Sequence, residues 1–264
     1  MSRLVLTLAL VAMFCVCLVV ASADAVCNPA GPPAAPPNPT AQEGNVYGTW
    51  QGQSVSGYAT PSYLGETGLL ITPTALVQPS VQAAFTYHAI DSSPRRQSFY
   101  GATVGLLPGF EISALRMANI PPPASMPTDW RNETVLSGKY QVPLDTLLKV
   151  NDAPKLALGV FDISNDADRV WYAVVTDSVS IQNSPQTIMN LHLGLAKKDH
   201  GDGQLDGLFA GFDVPVASDL LLQGEYDGEN LNAGLRYYPA KWISVDGSVV
   251  GSNLAWGLTA STGF

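Results

Sequence analysis

The sequence predicts an all-β protein, a single antiparallel transmembrane β-barrel of about twelve strands in a bacterial outer membrane. Charged residues make up 13% of the 264 residues, about half of the roughly 25% that is usual in soluble domains. After residue 25, no apolar stretch reaches the roughly 18 to 20 residues that a transmembrane helix needs. The last third of the chain alternates strictly between apolar residues and small or polar ones, which indicates strands rather than helices.

Residues 1–25 form a predicted signal peptide. Arg3 precedes an uninterrupted apolar run from Leu4 to Val20, and small residues follow at a possible cleavage site. The run is long for a signal, so an uncleaved N-terminal anchor is the alternative. Lipidation is not expected, because a large apolar residue precedes each of the three cysteines, Cys15, Cys17 and Cys27. Cleavage leaves Cys27 alone, which excludes an internal disulfide in the mature chain.

A Pro-rich linker follows at residues 26–60, and its composition predicts a semi-extended or disordered tail. The barrel itself is predicted over residues 61–264. Within it, residues 65–75 are the candidate for a plug in the lumen or for a cap on the first strand.

The strand pattern is clearest at the C-terminus. Leu254, Trp256 and Leu258 fall on one face of a predicted strand, with small or polar residues between them, and Phe264 ends the chain in phase with the apolar face. We expect the barrel-assembly machinery to recognise the chain through Phe264. The same test along the chain gives strands at about 80–91, 97–107, 110–118, 132–142, 155–163, 170–180, 187–197, 207–215, 218–226, 230–238, 241–250 and 253–264.

An even number of strands places both chain ends on the periplasmic side. Leu107-Pro108-Gly109, Val214-Pro215 and Pro239-Ala240 are therefore predicted periplasmic turns, and residues 120–131 and 198–206 are predicted outer loops. Residues 143–154 are long for a turn and include 144–149, a predicted short helix. A soluble β-sandwich or barrel is the alternative, but its strands are shorter, about five or six residues.

Three segments resemble a known family. Residues 65–75 read Gly-Glu-Thr-Gly-Leu-Leu-Ile-Thr-Pro-Thr-Ala, residues 156–163 read Leu-Ala-Leu-Gly-Val-Phe-Asp-Ile, and residues 224–237 contain Glu-Tyr-Asp-Gly and Asn-Ala-Gly-Leu-Arg-Tyr. In order and spacing they resemble the YjbH-like family of Gram-negative envelope proteins. The resemblance implies a non-catalytic outer-membrane barrel in exopolysaccharide export or surface assembly, with exopolysaccharide and other envelope proteins as partners. A general diffusion porin for small neutral solutes and a closed structural barrel are the alternatives.

In the barrel, the polar face of each strand points into the lumen. Charges of both signs on that face favour neutral or zwitterionic solutes over ions of one sign. The alternative for Arg236 and Glu225 is that they simply pair with each other inside a narrow barrel. The candidate lumen-lining residues are Lys139, Gln141, His192, Asp213, Gln223, Glu225, Asn232, Arg236 and Asp246.

No catalytic, cofactor or metal site is predicted. The three histidines, His88, His192 and His200, have no accompanying Gly-x-Ser-x-Gly motif or spaced ligand set. The acidic loop that contains Asp199, Asp202 and Asp206 lacks the spacing of a calcium site and is interpreted as solvated. A net charge of −9 excludes a nucleic-acid partner that is bound through its phosphates.

Aromatic residues near the predicted strand ends are typical of the girdles that contact outer-membrane lipid at its interfaces. Ordinary β-propensity is the alternative explanation. The residues concerned are Tyr87, Tyr100, Tyr140, Tyr226, Tyr237, Trp242 and Trp256.

Overall fold

Twelve antiparallel strands hydrogen-bond side by side into one closed barrel, which confirms the predicted fold class and strand number. The computed structural model describes residues 49–50, 53–54, 59–92, 94–120, 130–149, 153–180, 188–199 and 205–262. The predicted signal peptide, most of the predicted linker, the centres of both predicted outer loops, His200, Asp202 and Phe264 lie outside the described residues.

The barrel strands match the alternating segments closely. They are β3 (Ala83–Ile90), β4 (Gln97–Leu107), β5 (Phe110–Ile120), β6 (Arg131–Val142), β7 (Lys155–Phe161), β8 (Val170–Ser180), β9 (Ile188–Lys198), β10 (Gly207–Ala217), β11 (Leu220–Tyr226), β12 (Leu231–Ala240), β13 (Ile243–Val250) and β14 (Asn253–Ser261). Each strand pairs with its neighbour in the chain, and β14 pairs with β3 to close the ring.

Three small elements accompany the barrel. Strands β1 (Thr49–Trp50) and β2 (Gln53–Ser54) pair with each other inside the range predicted as linker. The helix α1 (Leu144–Leu148) confirms the predicted helix between β6 and β7, and it ends at Lys149 in the left-handed conformation. Among the described residues, no helix has the length and apolar character needed to cross a membrane.

Two predicted turns are wrong. Pro215 lies within β10 and Pro239 within β12, and the turns come later, at residues 218–219 and 241–242. The ladder shifts register between Pro215 and Ala217, and again between Tyr237 and Ala240. A bulge accepts a residue without an N–H donor, so each proline bends its strand instead of ending it. The third predicted turn, at Pro108 and Gly109, is confirmed.

The barrel has two distinguishable ends. The terminal end holds the start of β3, the end of β14 and the three two-residue turns at 108–109, 218–219 and 241–242. The distal end is the opposite one, where β3 ends and β4 begins. An even number of antiparallel strands brings the first and last strand termini to the same end, so this arrangement follows directly from the count.

The side chains alternate in a pattern that is reversed relative to a water-soluble protein. Large apolar residues point outward and are exposed, for example Leu254 at 69%, Leu208 at 53% and Trp171 at 51%. Charged residues point inward and are buried, among them Lys139 and Glu111 at 1% or less. Since apolar surface is unfavourable in water, the outer wall requires an apolar surrounding.

The interior is divided along the barrel axis. Apolar inward residues cluster within the distal half, and they include Ile90, Phe99, Met117, Val135, Phe161, Val170, Phe209 and Val250. Most inward charges lie nearer the terminal end. Both zones are in contact with residues 59–78, which we call the interior segment.

Candidate functional site

The interior segment is the candidate functional site, because its contacts reach the inward faces of strands all around the barrel. Residues 59–76 are almost entirely buried. The segment is folded on itself by backbone hydrogen bonds, such as those from Tyr63 N–H to the Leu70 carbonyl and from Leu69 N–H to the Thr72 carbonyl. It is therefore a small folded unit inside the barrel rather than an extended tail.

Glu225 on β11 binds the middle of the interior segment. Its carboxylate accepts hydrogen bonds from three successive backbone N–H groups, those of Leu70 at 3.2 Å, Ile71 at 2.8 Å and Thr72 at 3.0 Å. The Thr72 hydroxyl and the Asn232 amide also donate to it. A buried carboxylate is stable only when donors surround it, so this group and this stretch of backbone satisfy each other.

Glu111 on β5 forms a second anchor. Its carboxylate accepts hydrogen bonds from the Thr67 N–H and hydroxyl at 2.9 and 2.6 Å and from the Gln78 N–H at 2.7 Å. Lys139 on β6 lies 2.9 Å from Glu111 and donates to the Thr67 carbonyl at 2.7 Å. Both charges are almost fully buried, so removing either one would leave the other as a buried charge without its ionic partner.

Arg236 on β12 forms a third anchor. Its guanidinium is paired with Asp246 on β13 and donates to the carbonyls of Gly68 and Leu69. The predicted pairing of Arg236 with Glu225 is wrong. In the observed register Glu225 lies opposite Asn232, and Arg236 lies opposite Leu221 on one side and Asp246 on the other, because the turns before and after β12 set the two alignments.

A hydrogen-bonded chain on β8, β9 and β10 contacts the end of the interior segment. Asp213 accepts from Asn190 at 2.8 Å and pairs with His192 at 2.9 Å, and the other ring nitrogen of His192 contacts the Thr176 hydroxyl. Thr176 in turn accepts the N–H of Ala75 at 2.9 Å. The order hydroxyl, imidazole, carboxylate is that of a hydrolase triad, but the Thr176 side chain is buried against the interior segment and performs a positioning role.

Aromatic and hydroxyl side chains complete the contacts. The hydroxyls of Tyr63 and Ser248 share a hydrogen bond of 2.8 Å, and the ring centroids of Tyr63 and His88 are 4.3 Å apart. Tyr172 donates to the carboxyl of Glu66 at 2.9 Å. Burial raises the pKa of Glu66 to about 8, since the group lies in the interior segment with a single hydrogen-bond donor.

Eight of the nine predicted lumen-lining residues are buried on the inward face; Gln141 is partly exposed near the terminal end. The structure brings together three pairs of them: Glu225 with Asn232, Arg236 with Asp246, and His192 with Asp213. Lys139 binds a residue outside the predicted set, and Gln223 lies opposite Asp213 across the ladder.

Sequence reasoning missed several residues that bind the interior segment, namely Glu111, Tyr172, Thr176, Ser248 and Thr103, whose hydroxyl donates to the Gly65 carbonyl. For Glu111 the sequence did contain a signal: this residue is in phase with the inward Ser113, on a segment that alternates less cleanly than the C-terminal strands. Hydroxyl and aromatic residues carry no comparable signal, because either face of a strand accepts them.

No group of three or more His, Cys, Asp or Glu side chains that could hold a metal ion occurs among the residues that the structure describes. The carboxylates of the interior are instead bound to N–H, hydroxyl and cationic groups of the chain itself.

No protein-family model matches the chain, and no curated protein matches it. Among solved structures, the chain is similar to a KdgM porin, with a TM-score of 0.43 and 13% identity over 70% of this chain and 99% of that one. A KdgM porin in complex with disordered oligogalacturonate gives a TM-score of 0.42 and 13% identity over the same shares. The resemblance to the YjbH-like family stays a prediction from the sequence.

Proposed function

We propose that the chain is an integral outer-membrane β-barrel that acts as a gated conduit for small polar solutes, held closed by its own interior segment. The observation that carries the proposal is the reversed alternation of the wall, with exposed apolar side chains outside and buried charges inside. An apolar exterior suits lipid, and the aromatic residues Tyr100, Trp171 and Trp256 on it suit a membrane interface.

The polar wall supports a conduit over a purely structural barrel. A buried ion pair stabilises a protein no more than a well-packed apolar pair of similar volume does. A wall that retains Glu111, Lys139, Glu225, Arg236 and Asp246 is therefore suited to contact with water or polar solutes when the interior segment moves out. Charges of both signs favour neutral or zwitterionic solutes.

The interior segment supports the gate. A twelve-stranded barrel encloses a lumen wider than its own side chains fill, and residues 59–78 occupy that space. The segment is attached to the wall through hydrogen bonds, which water replaces readily once the segment is displaced, and through apolar packing of Leu64, Leu70 and Ile71. A covalent or continuous β-ladder connection would not permit such a displacement.

Ion conductance in planar bilayers tests the proposal. Full-length protein that migrates as a heat-modifiable outer-membrane band should conduct rarely, and a Glu111→Ala/Glu225→Ala variant should conduct far more often. A folded variant that never conducts would favour the closed structural barrel. Protein that fractionates with the periplasm and shows no mobility shift on boiling would refute the membrane barrel.

The exopolysaccharide role is an expectation of the YjbH-like resemblance, and we retain it as a second hypothesis for the physiological solute. Its test is genetic: deletion should lower surface polysaccharide in a strain that makes it. If the deletion strain makes normal polysaccharide and the Glu111→Ala/Glu225→Ala variant conducts, only the porin-type function is supported.

A further inference from the structure

We propose that the distal rim between β3 and β6 is a binding site for the phosphate of a lipid headgroup in the outer leaflet. The inference rests on the proposed membrane location and adds a ligand that the interior does not involve. It starts from a concentration of arginine: Arg95, Arg96, Arg116 and Arg131 lie on this part of the rim, four of only 13 Lys and Arg residues in a chain of net charge −9.

The fold places the four arginines on neighbouring elements at the distal end. Arg95 and Arg96 are in the loop between β3 and β4, and the carbonyl of Arg96 accepts a hydrogen bond from Asn119 near the end of β5. The Asn119 N–H in turn donates to Asn132 on β6. These bonds tie the loop to the strands that carry Arg116 and Arg131.

Arg116 has an unusual position, because it points outward from β5 and is exposed. Its neighbours in register on the outer face are Tyr100 on β4 and Thr134 on β6. The only other charged residues with this outward orientation inside the described strands are Asp177 and Lys197, near strand ends. A charge on the lipid-facing wall is unfavourable at the membrane centre and tolerated at headgroup depth.

A row of aromatic side chains indicates the depth of Arg116 in the membrane. Tyr100 lies opposite Tyr87, with ring centroids 5.0 Å apart, and Tyr87 contacts Trp256 with centroids 5.1 Å apart. Tyrosine and tryptophan concentrate at the level of the lipid headgroups. Arg116 is in register with this row, so its guanidinium lies where lipid phosphates lie.

Two of the four guanidiniums have no carboxylate partner among the described residues. Arg96 pairs with Asp91, and Arg131 pairs with Glu133. Arg95 instead lies over the ring of Trp130, 5.0 Å from its centroid, and Arg116 donates to the Thr134 hydroxyl at 2.9 Å. Both keep N–H donors for an anion, and the planar guanidinium matches the geometry of a phosphate oxygen pair.

The experiment is native mass spectrometry of the full-length, heat-modifiable protein released from micelles that contain diphosphoryl lipid A or, separately, phosphatidylcholine. Wild-type protein should retain lipid A, and Arg95→Gln/Arg116→Gln should retain at least tenfold less. The matched control is Arg169→Gln, a partly exposed distal-end arginine that pairs with Asp199 across the loops, and this variant should retain lipid A like the wild type.

Equal retention by the double variant, or an equal loss in Arg169→Gln, would overturn the proposal. Added inorganic phosphate in millimolar excess should not displace the lipid, and displacement would show that the site recognises free phosphate instead. All measurements are made on protein with the boiling-dependent mobility shift, so a failure of the membrane barrel itself appears earlier and separately.

Discussion

Glu111 and Glu225 bind the interior segment from opposite walls of the barrel. Their strands, β5 and β11, are six steps apart around the twelve-stranded ring in either direction. Glu111 binds Thr67 and Gln78, and Glu225 binds the three residues that start at Leu70. The segment thus lies across the lumen between two buried carboxylates, and each accepts hydrogen bonds from backbone N–H groups and from one threonine hydroxyl of the segment.

Removing the Glu225 carboxylate should release the centre of the segment. In Glu225→Ala, three buried N–H groups lose their acceptor, and each unsatisfied donor costs about 1–3 kcal/mol. We expect a higher open probability in planar bilayers. We also expect the gel mobility to shift at a lower heating temperature. The control is Gln223→Ala on the same strand, which removes a buried inward side chain without touching those donors. Equal effects of the two changes would show that loss of inner volume, not of the acceptor, is responsible.

A disulfide between the segment and the wall should lock the barrel closed. A Cβ at Gly65 would lie 3.3 Å from the Leu115 Cβ, near the separation of about 3.5–4.5 Å found in disulfides. In a Cys27→Ser background, oxidised Gly65→Cys/Leu115→Cys should abolish conductance that Glu225→Ala provides, and reductant should restore it. Gly65 has a φ of +83°, so Gly65→Cys alone serves as the control for strain. Conductance that is insensitive to reductant would contradict closure by this segment.

The binding of the interior segment to the barrel wall should weaken as the pH rises, because Glu66 loses its proton. The pKa of this carboxyl rises from 4.5 to about 8 on burial, where it faces Tyr172, Lys139 and Glu111. Because the folded pKa is the higher one, the contribution to stability is complete below about pH 4.5 and is lost as the pH rises through 8. Open probability should therefore increase between pH 6 and pH 9, and Glu66→Gln should remove most of that increase. An unchanged pH profile in Glu66→Gln would assign the effect to another group.

Inward glycines opposite aromatic rings should resist substitution. Gly194 on β9 lies opposite Phe209 on β10, and a Cβ at Gly194 would overlap the Phe209 ring. We expect Gly194→Val to lower stability by about 1–3 kcal/mol through overpacking, measured as a lower temperature for the mobility shift. Gly247→Val is the matched control, since no atom lies within 4 Å of a Cβ at this outward position. Loss of stability in Gly247→Val alone would invalidate the packing explanation.

The strands could be predicted because alternation is local information. The orientation of a strand residue can be predicted from the sequence, as for Leu254, Trp256 and Leu258, because inward and outward residues differ in polarity. The register could not be predicted in the same way. Whether Arg236 faces Glu225 or Asp246 depends on where the turns on either side of β12 fall and on the bulge at Pro239, which shifts the pairing with β13.

The contents of the lumen were only partly accessible from sequence. Residues 65–75 stood out as a non-alternating stretch before the barrel, but their partners on the strands are between 38 and 168 positions away along the chain. Contacts between a compact turn-rich segment and six or more strands depend on the closed ring, and no pattern along the chain encodes them. Polar periodicity identified Glu225 and Lys139 as inward residues, but not what they bind.

The pairing of β14 with β3 joins the first and last strands of the ring, so the barrel remains an open sheet until the whole chain has been synthesised. The interior segment precedes β3 and therefore is exported before every strand that it will contact. Its contacts with Glu111 and Lys139 involve early strands, whereas Glu225 and Arg236 lie near the end of the chain. Once the seam between β14 and β3 is sealed, the segment can enter or leave the lumen only through an open end of the barrel, and never sideways between two strands.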